Sequence, residues 1–284
     1  MTMSLRNRKN IFIFIAVLTG TLLSGCKYIS KNDQELVSTP RTDEPLATTN
    51  PPVPVEIIPD TGWTILKPGF ENRILNLVSE DGVLQETVYI VRIDPNNFRF
   101  EVGYQPADPL PLQGWLEQSG ADLVVNGGFF TEENKATGLV IADGESFGAS
   151  YQGFGGMLAI DQAGPTLRSL VVEPYNVEEH LIGAVQSFPM LLLPGNQGGY
   201  TEAGDGARRS VIARDSQGRF IFLVAGYGLF TLSDLSQYLA DSDLGLESAL
   251  NLDGGASAGL LLSDSKEGIP SFSLLPTVIL VFQK

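Results

Sequence analysis

The amino-acid sequence predicts an α+β domain in which strands outnumber helices. Runs of alternating apolar and polar residues such as "TVYIVRID" and "FRFEVGY" recur along the chain and are bounded by turn residues. Two stretches, "LPLQGWLEQSG" and "TLSDLSQYLADSDLG", instead space their apolar residues as helices do. Because hairpin patterns predominate over regular strand–helix alternation, we expect mixed β-sheets with a few helices rather than a doubly wound parallel sheet.

The elements of the first half follow from these patterns in order. "TVYIVRID" and "FRFEVGY" are separated by Pro95-Asn96-Asn97, which predicts a hairpin. Leu112, Trp115 and Leu116 form the apolar stripe of the first helix, and Gly120 is placed to end it. "ADLVVNGGFF" is then typical of a short buried strand that ends in a glycine turn.

The second half has a hairpin, a helix and a closing strand. "SVIARDSQGRFIFLVAGY" is the hairpin, and Thr231 with Asp234 three residues later predicts a capped helix start. "TVILVF" is a strand by composition. A helix followed by a strand and an asparagine-glycine turn occurs twice, over residues 112–128 and 232–255. We therefore expect both turns to lie in one cleft.

The amino-terminal segment resembles an export signal. Arg6, Arg8 and Lys9 precede the apolar run "IFIFIAVLTGTLL", which is shorter than the about 20 residues of a membrane span. "LSGC" then resembles the lipobox of bacterial lipoproteins, which predicts a signal peptide over residues 1–25 and a lipid on Cys26. The alternative is a secreted protein with an unmodified cysteine. Since Cys26 is the one cysteine of the sequence, an internal disulfide is excluded.

Composition divides the remaining chain and limits its partners. Residues 26–58 are rich in Pro, Thr and acid, which predicts a disordered tether, and residues 59–284 are long enough for one domain. Cleavage would remove three positive charges and change the net charge from −15 to −18, which argues against nucleic-acid binding. We expect a lipid-anchored protein of the bacterial cell envelope, with the outer membrane favoured in a Gram-negative host because Lys27 follows Cys26. The oligomeric state is not indicated.

The residue types in the sequence limit which catalytic mechanisms are possible. Gly255 to Gly259 has the G-x-S-x-G spacing of a nucleophile elbow around Ser257, but that arrangement needs a histidine later in the chain. His180 is the one histidine of the sequence and precedes Ser257. One histidine and one cysteine also cannot form the usual zinc sites, so we expect no metal and no cofactor. Carboxylates, amides and arginines remain, and carboxylates are the groups that cleave glycosidic bonds.

Five motifs in order resemble the phosphodiester glycosidase family. They are "NGGFF", "QSFPMLLLPG", "ARRSVIARD", "VAGYG" and "ALNLDGGASAG", and the resemblance covers about residues 85 to 284. It implies an α+β domain with a cleft that hydrolyses a sugar 1-phosphodiester to free sugar and a phosphomonoester. The substrate expected as partner is therefore a carbohydrate phosphodiester. The competing class is an envelope lipoprotein that binds a glycan or phosphoglycan without cleaving it, and a third class is a purely structural envelope lipoprotein.

Within these motifs, Asp253 and Arg209 are the candidate catalytic residues. Asp253 is a general base, a nucleophile or a stabiliser of the oxocarbenium ion, and the alternative is an aspartate that caps its own glycine turn. Arg209 is the first candidate for the phosphate, because guanidinium binds phosphate oxygens with a two-pronged fork. Arg208 is the second, although strand alternation predicts that the two arginines face opposite ways. Ser210 is a candidate hydroxyl donor.

Further residues are candidates for substrate binding. Asn126 and Asn251 are expected to contact sugar hydroxyls or phosphate, against the alternative of ordinary turn asparagines. Glycine in the two turns lets the backbone approach a ligand. A second carboxylate could be Glu132 or Asp205, each of which also fits a solvated loop. The complete set of substrate-binding candidates is Asn126, Gly127, Gln186, Arg208, Ser210, Asn251, Gly254 and Gly255.

Overall fold

The computed structural model describes residues 57–196, 199–264 and 267–284. In these ranges the chain is built mainly of antiparallel strands with two α-helices, so the α+β class is confirmed. The predicted signal peptide, Cys26 and most of the predicted tether lie outside the described residues. Within the described ranges, no helix combines the length and apolarity that a membrane crossing would need.

The described ranges contain two α-helices, α1 (Leu112–Ser119) and α2 (Leu232–Asp241), and a 3₁₀ turn over Gly255–Ser257. Their strands, in chain order, are β1 (Thr64–Lys67), β2 (Phe70–Val78), β3 (Leu84–Ile93), β4 (Phe98–Tyr104), β5 (Leu123–Asn126), β6 (Val140–Ala142), β7 (Glu145–Phe147), β8 (Gly156–Asp161), β9 (Gly164–Ser169), β10 (Gly183–Ser187), β11 (Met190–Leu192), β12 (Arg209–Asp215), β13 (Phe220–Ala225), β14 (Leu246–Asn251), β15 (Leu260–Leu262), β16 (Gly268–Ile269) and β17 (Thr277–Gln283).

These strands form three sheets. The largest has the order β1-β2-β3-β13-β12-β14-β11, the second β7-β6-β10-β8-β9 and the third β16-β15-β5-β17-β4. Each ladder among the described strands is antiparallel, where the sequence suggested mixed pairing.

The large sheet is buried on both faces at its centre. All six residues of β13 are buried, and so are Val211, Ile212 and Ala213 of β12, which explains their continuous apolar sequence. One face packs against α2 through Leu235 and Leu239. The opposite face packs against strands of the other two sheets in the main hydrophobic core. The central strands are therefore fixed by packing on both faces.

The predicted hairpin of β3 and β4 is wrong. The two strands are consecutive, yet β3 pairs with β2 and β13, whereas β4 pairs with β17 in the third sheet. The turn at Pro95-Asn96-Asn97 thus carries the chain from one sheet to another. A short turn with strands on both sides does not specify pairing, because both strands have buried partners elsewhere that cover more apolar surface.

The other local predictions are confirmed. β12 and β13 form the second hairpin, with Arg209 opposite Ala225. The first helix ends at Gly120, which has a left-handed φ of 67°. Thr231 caps α2 by accepting a hydrogen bond from the Asp234 amide at 3.1 Å.

Candidate active site

One end of the large sheet carries the residues singled out in the sequence. Because β14 lies between β12 and β11 and is antiparallel to both, the end of β14 meets the beginnings of its two neighbours. Asp253 follows β14, Arg209 begins β12, and Phe188 lies just before β11. The Leu252 amide donates to the Ser210 carbonyl at 2.8 Å, and Asn251 Nδ2 donates to the Phe188 carbonyl at 2.9 Å.

The two glycine turns meet directly, as predicted. Asn126 Nδ2 donates to the Asp253 carbonyl at 2.7 Å, and Asn126 Oδ1 accepts from the Gly259 amide at 3.1 Å. The Asp253 amide donates to the Gly127 carbonyl at 3.1 Å. We call these three bonds the clasp. They join the third sheet to the end of the large sheet, and they fix the backbone on both sides of the Asp253 side chain.

Asp253 presents a partly buried carboxylate in this turn. Its Oδ1 accepts a hydrogen bond from the Gly254 amide at 2.9 Å. Burial raises the pKa of Asp253 above its usual 3.8, and hydrogen bonds from the Ser257 hydroxyl and the Gly254 amide oppose that rise. Ser257 therefore serves as a neighbour of the carboxylate. His180 is exposed and lines a different surface cavity with Asp161 and Ile182.

Arg209 lies beside the same turn. Its Nε donates to the Phe230 carbonyl at 3.2 Å and its Nη2 to the Asp205 carbonyl at 2.8 Å, so backbone groups hold two of its three nitrogens. Nη1 has no acceptor among the described residues, and a Cβ placed on Gly254 would lie 3.8 Å from it. Burial lowers the pKa of Arg209, opposed by the nearby Tyr200. A half-buried guanidinium without a carboxylate partner in the described ranges is suited to an anion.

Arg208 points to the opposite face of the strand, as predicted. Its Nη2 donates to the carbonyls of Ala258 at 2.8 Å and Pro270 at 2.6 Å, and its guanidinium lies 4.1 Å from the centre of the Phe272 ring. It lines a separate cavity of about 280 Å³ with Tyr227 and Phe272. Arg208 thus holds the end of the 3₁₀ turn through the Ala258 carbonyl. Its guanidinium does not lie with that of Arg209.

Three of the proposed substrate-binding side chains hold the site together instead of facing open space. Asn126 is fully buried, and both ends of its amide bond to backbone in the clasp. Gln186 is also buried; its Oε1 accepts from the Tyr151 amide at 2.8 Å and its Nε2 donates to Ser150 Oγ at 2.9 Å. Asn251 binds the Phe188 carbonyl. All three amides thus bond to the protein itself, and their contact with a substrate stays a prediction.

The remaining candidates contribute backbone or buried hydroxyl groups. Gly127 supplies a carbonyl to the clasp, and the Gly255 amide donates to the Arg208 carbonyl at 2.9 Å. Ser210 is buried, and its hydroxyl has no partner in the described part of the chain. Gly254 leaves open the space beside Arg209. Glu132 and Asp205 are both exposed, and Asp205 reaches Arg209 through its carbonyl.

Sequence reasoning missed three of the four aromatic rings that lie beside Asp253, those of Tyr151, Phe154 and Phe188. Tyr151, Phe154, Phe188 and Phe129 form what we call the aromatic wall, with ring centres 4.8 Å apart for Tyr151–Phe154, 5.6 Å for Tyr151–Phe188 and 4.6 Å for Phe129–Phe188. Burial, with a smaller contribution from the negative charge of Asp253, raises the pKa of Tyr151. Exposed aromatics among glycines, in "YQGFGG", are the sequence signal for this group.

Glu86 was missed as well. It lies at the start of β3, has no exposed surface, and accepts hydrogen bonds from the amides of Tyr227, Gly228 and Leu229 at 2.6, 2.9 and 2.9 Å. The loop that these bonds hold continues into Phe230, whose carbonyl receives Arg209 Nε. Glu86 therefore positions the arginine indirectly. An acidic residue near the start of a strand gives no sequence signal for such a role.

The described residues contain no group of three His, Cys, Asp or Glu side chains that could hold a metal ion. The site consists, in that part of the chain, of one carboxylate, one guanidinium, backbone groups and aromatic rings. This set can bind an anion and activate a water molecule or attack an electrophilic carbon, which is the chemistry of glycosidic cleavage.

Comparison with known proteins defines the class. The family model for phosphodiester glycosidases matches residues 119–282, more than half of the chain, and the chain belongs to this family. Its fold is similar to the zebrafish N-acetylglucosamine-1-phosphodiester alpha-N-acetylglucosaminidase catalytic domain auto-inhibited by its pro-peptide, with TM-score 0.59 and 17% identity over 77% of this chain and 85% of that one.

A hypothetical protein from Synechocystis is similar too, with TM-score 0.58 and 15% identity over 76% of this chain and 62% of that one. This chain therefore spans less than two thirds of the Synechocystis protein. At these identities both likenesses concern the fold. No curated protein sequence matches this chain.

The role of Glu86 predicts that Glu86→Gln destabilises the domain. The carboxamide would place an NH₂ group against two backbone N–H donors, since each carboxylate oxygen of Glu86 now accepts from two amides. We expect the free energy of unfolding to fall by about 1–3 kcal/mol. Urea unfolding of the variant measures this, with Glu80→Gln on the exposed surface as the control. Equal stability of the two variants would contradict the role.

Proposed function

We propose that this domain hydrolyses a sugar 1-phosphodiester by cleaving the bond between the anomeric carbon and the phosphate oxygen. The observation that carries the proposal is that a carboxylate and a guanidinium nitrogen without a hydrogen-bond acceptor in the described residues lie on either side of Gly254. Asp253 precedes Gly254 in the chain, and Arg209 Nη1 lies 3.8 Å from the position of a Cβ on Gly254. The two charged groups thus flank one glycine, and the proposal is that one ligand contacts both.

Arg209 is proposed to bind the phosphate. Two of its nitrogens are fixed by backbone carbonyls, so the guanidinium needs little reorganisation when an anion arrives. Its partial burial strengthens the attraction to a phosphate oxygen, because the local dielectric is lower than that of water. The net charge of −15 opposes non-specific binding of anions, so a local cation is needed for an anionic substrate.

Asp253 is proposed to act on the anomeric carbon or its attacking water. As a general base, its carboxylate takes a proton from water, the water oxygen bonds to the anomeric carbon, and the electron pair of the broken bond leaves with the phosphate. The second ionisation of a phosphomonoester lies near pH 6, so this leaving group needs little protonation. As a nucleophile, Asp253 would instead form a covalent glycosyl intermediate, and the configuration of the released sugar distinguishes the two roles.

We expect Asp253→Asn to lower kcat for release of N-acetylglucosamine from an N-acetylglucosamine-1-phosphodiester by about 100-fold or more, because the amide cannot accept the proton. Arg209→Ala should lower kcat/KM by roughly 10- to 100-fold through loss of a charge-assisted contact. Liberated sugar is the readout for the full chain. Asp108→Asn and Arg214→Ala, both on the exposed surface, are the matched controls.

Turnover that survives in Asp253→Asn would overturn the catalytic assignment. Tight binding of the same phosphodiester without release by the wild type would support the non-catalytic glycan-binding class instead.

The pH dependence should report the environment of Asp253. Because burial raises its pKa above 3.8, the acid limb of kcat/KM should lie at higher pH than for an exposed aspartate. The raised folded-state pKa also means that ionising Asp253 costs folding free energy at neutral pH, a cost that disappears once the pH falls below the unfolded-state value. Asp253→Asn should therefore be at least as heat-stable as the wild type at pH 7 and lose this advantage in acid. Lower stability of the variant at pH 7 would indicate a structural aspartate.

We also propose that the chain is anchored to a membrane of the bacterial envelope by a lipid on Cys26, with residues 26–58 as the tether. The "LSGC" tetrapeptide after a basic and apolar segment supports this. Cys26→Ser should move the protein from the membrane fraction to the soluble fraction of expressing cells and abolish incorporation of a labelled fatty acid. Unchanged fractionation and labelling would contradict the anchor.

A further inference from the structure

The aromatic wall has exposed ring surface at the rim of the site. Phe154 and Phe188 expose 46% and 38% of their surface, and they cross Tyr151 and each other in stacked and edge-on arrangements. Aromatic surface of this kind, grouped beside polar groups that point the same way, is typical of a ligand contact.

The wall is fixed before any ligand binds. The Tyr151 amide donates to Gln186 Oε1 at 2.8 Å, and its phenol oxygen lies 2.8 Å from Thr137 Oγ1. A Cβ on Gly138 would lie 2.8 Å from the Tyr151 ring, so this ring packs directly against the backbone. A preorganised ring loses little entropy on binding and so contributes more of its contact energy to affinity.

The position of the aromatic wall can be described relative to Arg209 and Asp253. In the sheet, β14 separates β12 from β11, so Arg209 lies on one flank of Asp253 and Phe188 on the other. The wall thus lies on the side of Asp253 away from Arg209, where the sugar of a substrate with its phosphate at Arg209 would extend. The second cavity, at Arg208 and Phe272, is lined by neither Arg209 nor Asp253 nor any residue of the wall.

The chemistry of the wall favours a neutral ring over an anion. The four wall residues carry no cation, and the negative charge of Asp253 acts on Tyr151, so a phosphate would be repelled there. The face of an aromatic ring is electron-rich and attracts the C–H face of a pyranose. The paired hydroxyls of Tyr151 and Thr137, at the edge of the wall, can exchange hydrogen bonds with sugar hydroxyls.

We propose that the aromatic wall binds the pyranose ring of the substrate, with Phe188 and Phe154 as the stacking residues and Tyr151 as the residue that orients them. The assignment rests on the proposed function for the direction of the substrate, but binding of a free sugar does not require turnover. The wall thus determines which sugars the site accepts, and Arg209 recognises the phosphate that they share.

Binding of free N-acetylglucosamine to the full chain, measured by ligand-observed NMR titration, tests this proposal. Phe188→Leu and Phe154→Leu keep apolar volume but remove the ring face, and we expect each to raise the Kd of the sugar by roughly 3- to 10-fold. Phe272→Leu removes an exposed ring beside Arg208 and is the matched control, which should leave the Kd unchanged. Thermal unfolding of each variant confirms that it is folded.

The outcomes separate this proposal from the proposed function. The proposal is supported if the two wall variants bind the sugar more weakly and the Phe272→Leu control does not. This holds even if neither the wild type nor any variant shows turnover. Absence of sugar binding in the wild type, or equal effects of all three substitutions, overturns it. Octyl phosphate, titrated in the same way, tests the other occupant: if the wall variants weaken its binding and leave the sugar unaffected, the wall holds an apolar aglycone and the sugar assignment is wrong.

Discussion

The arrangement depends on the hydrogen bonds of one buried amide. Asn126 uses its donor on the Asp253 carbonyl and its acceptor on the Gly259 amide, so it spans the turn that presents the carboxylate. An aspartate at this position would lack the donor, and a leucine would lack both groups. Glycine neighbours make the approach possible, since a Cβ on Gly128 would lie 2.4 Å from the Gln186 carbonyl and one on Gly127 would lie 2.7 Å from Thr277. Two sheets thereby share one rigid junction.

The charges around this junction are arranged by backbone groups more than by ion pairs. Arg209 is held by carbonyls, Glu86 by amides, and the Asp253 carboxylate by the amide of its own turn. A salt bridge would neutralise the group that it positions, whereas a peptide group orients a side chain and leaves its net charge for a ligand. Arg209 and Asp253 thus keep their charges, because peptide groups and not opposite charges hold them in the described part of the chain.

Local patterns predicted much of this, and long-range packing accounts for the rest. The opposite orientation of Arg208 and Arg209 follows from strand alternation, and the meeting of the two asparagine-glycine turns follows from their repeated order. The predicted pairing of β3 with β4 is wrong, because each strand buries its apolar residues against a strand distant in the chain, β13 for β3 and β17 for β4. A short turn between two strands does not prevent this. Glu86 and Tyr151 gave little sequence signal, because their roles depend on contacts with residues 141 and 35 positions away in the chain. Asn126 and Gln186 lie near Asp253 and Tyr151, but a sequence does not show whether an amide turns toward a ligand or toward other protein groups.

Strand β17 has a consequence for how the site forms. It pairs with both β4 and β5, while its Thr277 carbonyl receives the Gly127 amide. The strand that carries Asn126 therefore depends, for one of its two neighbours, on residues far downstream in the sequence. Such long-range pairing is slow to form. Because Asn126 in turn holds the Asp253 carbonyl, a substitution that weakens the pairing of β17 would disturb a carboxylate that it never touches.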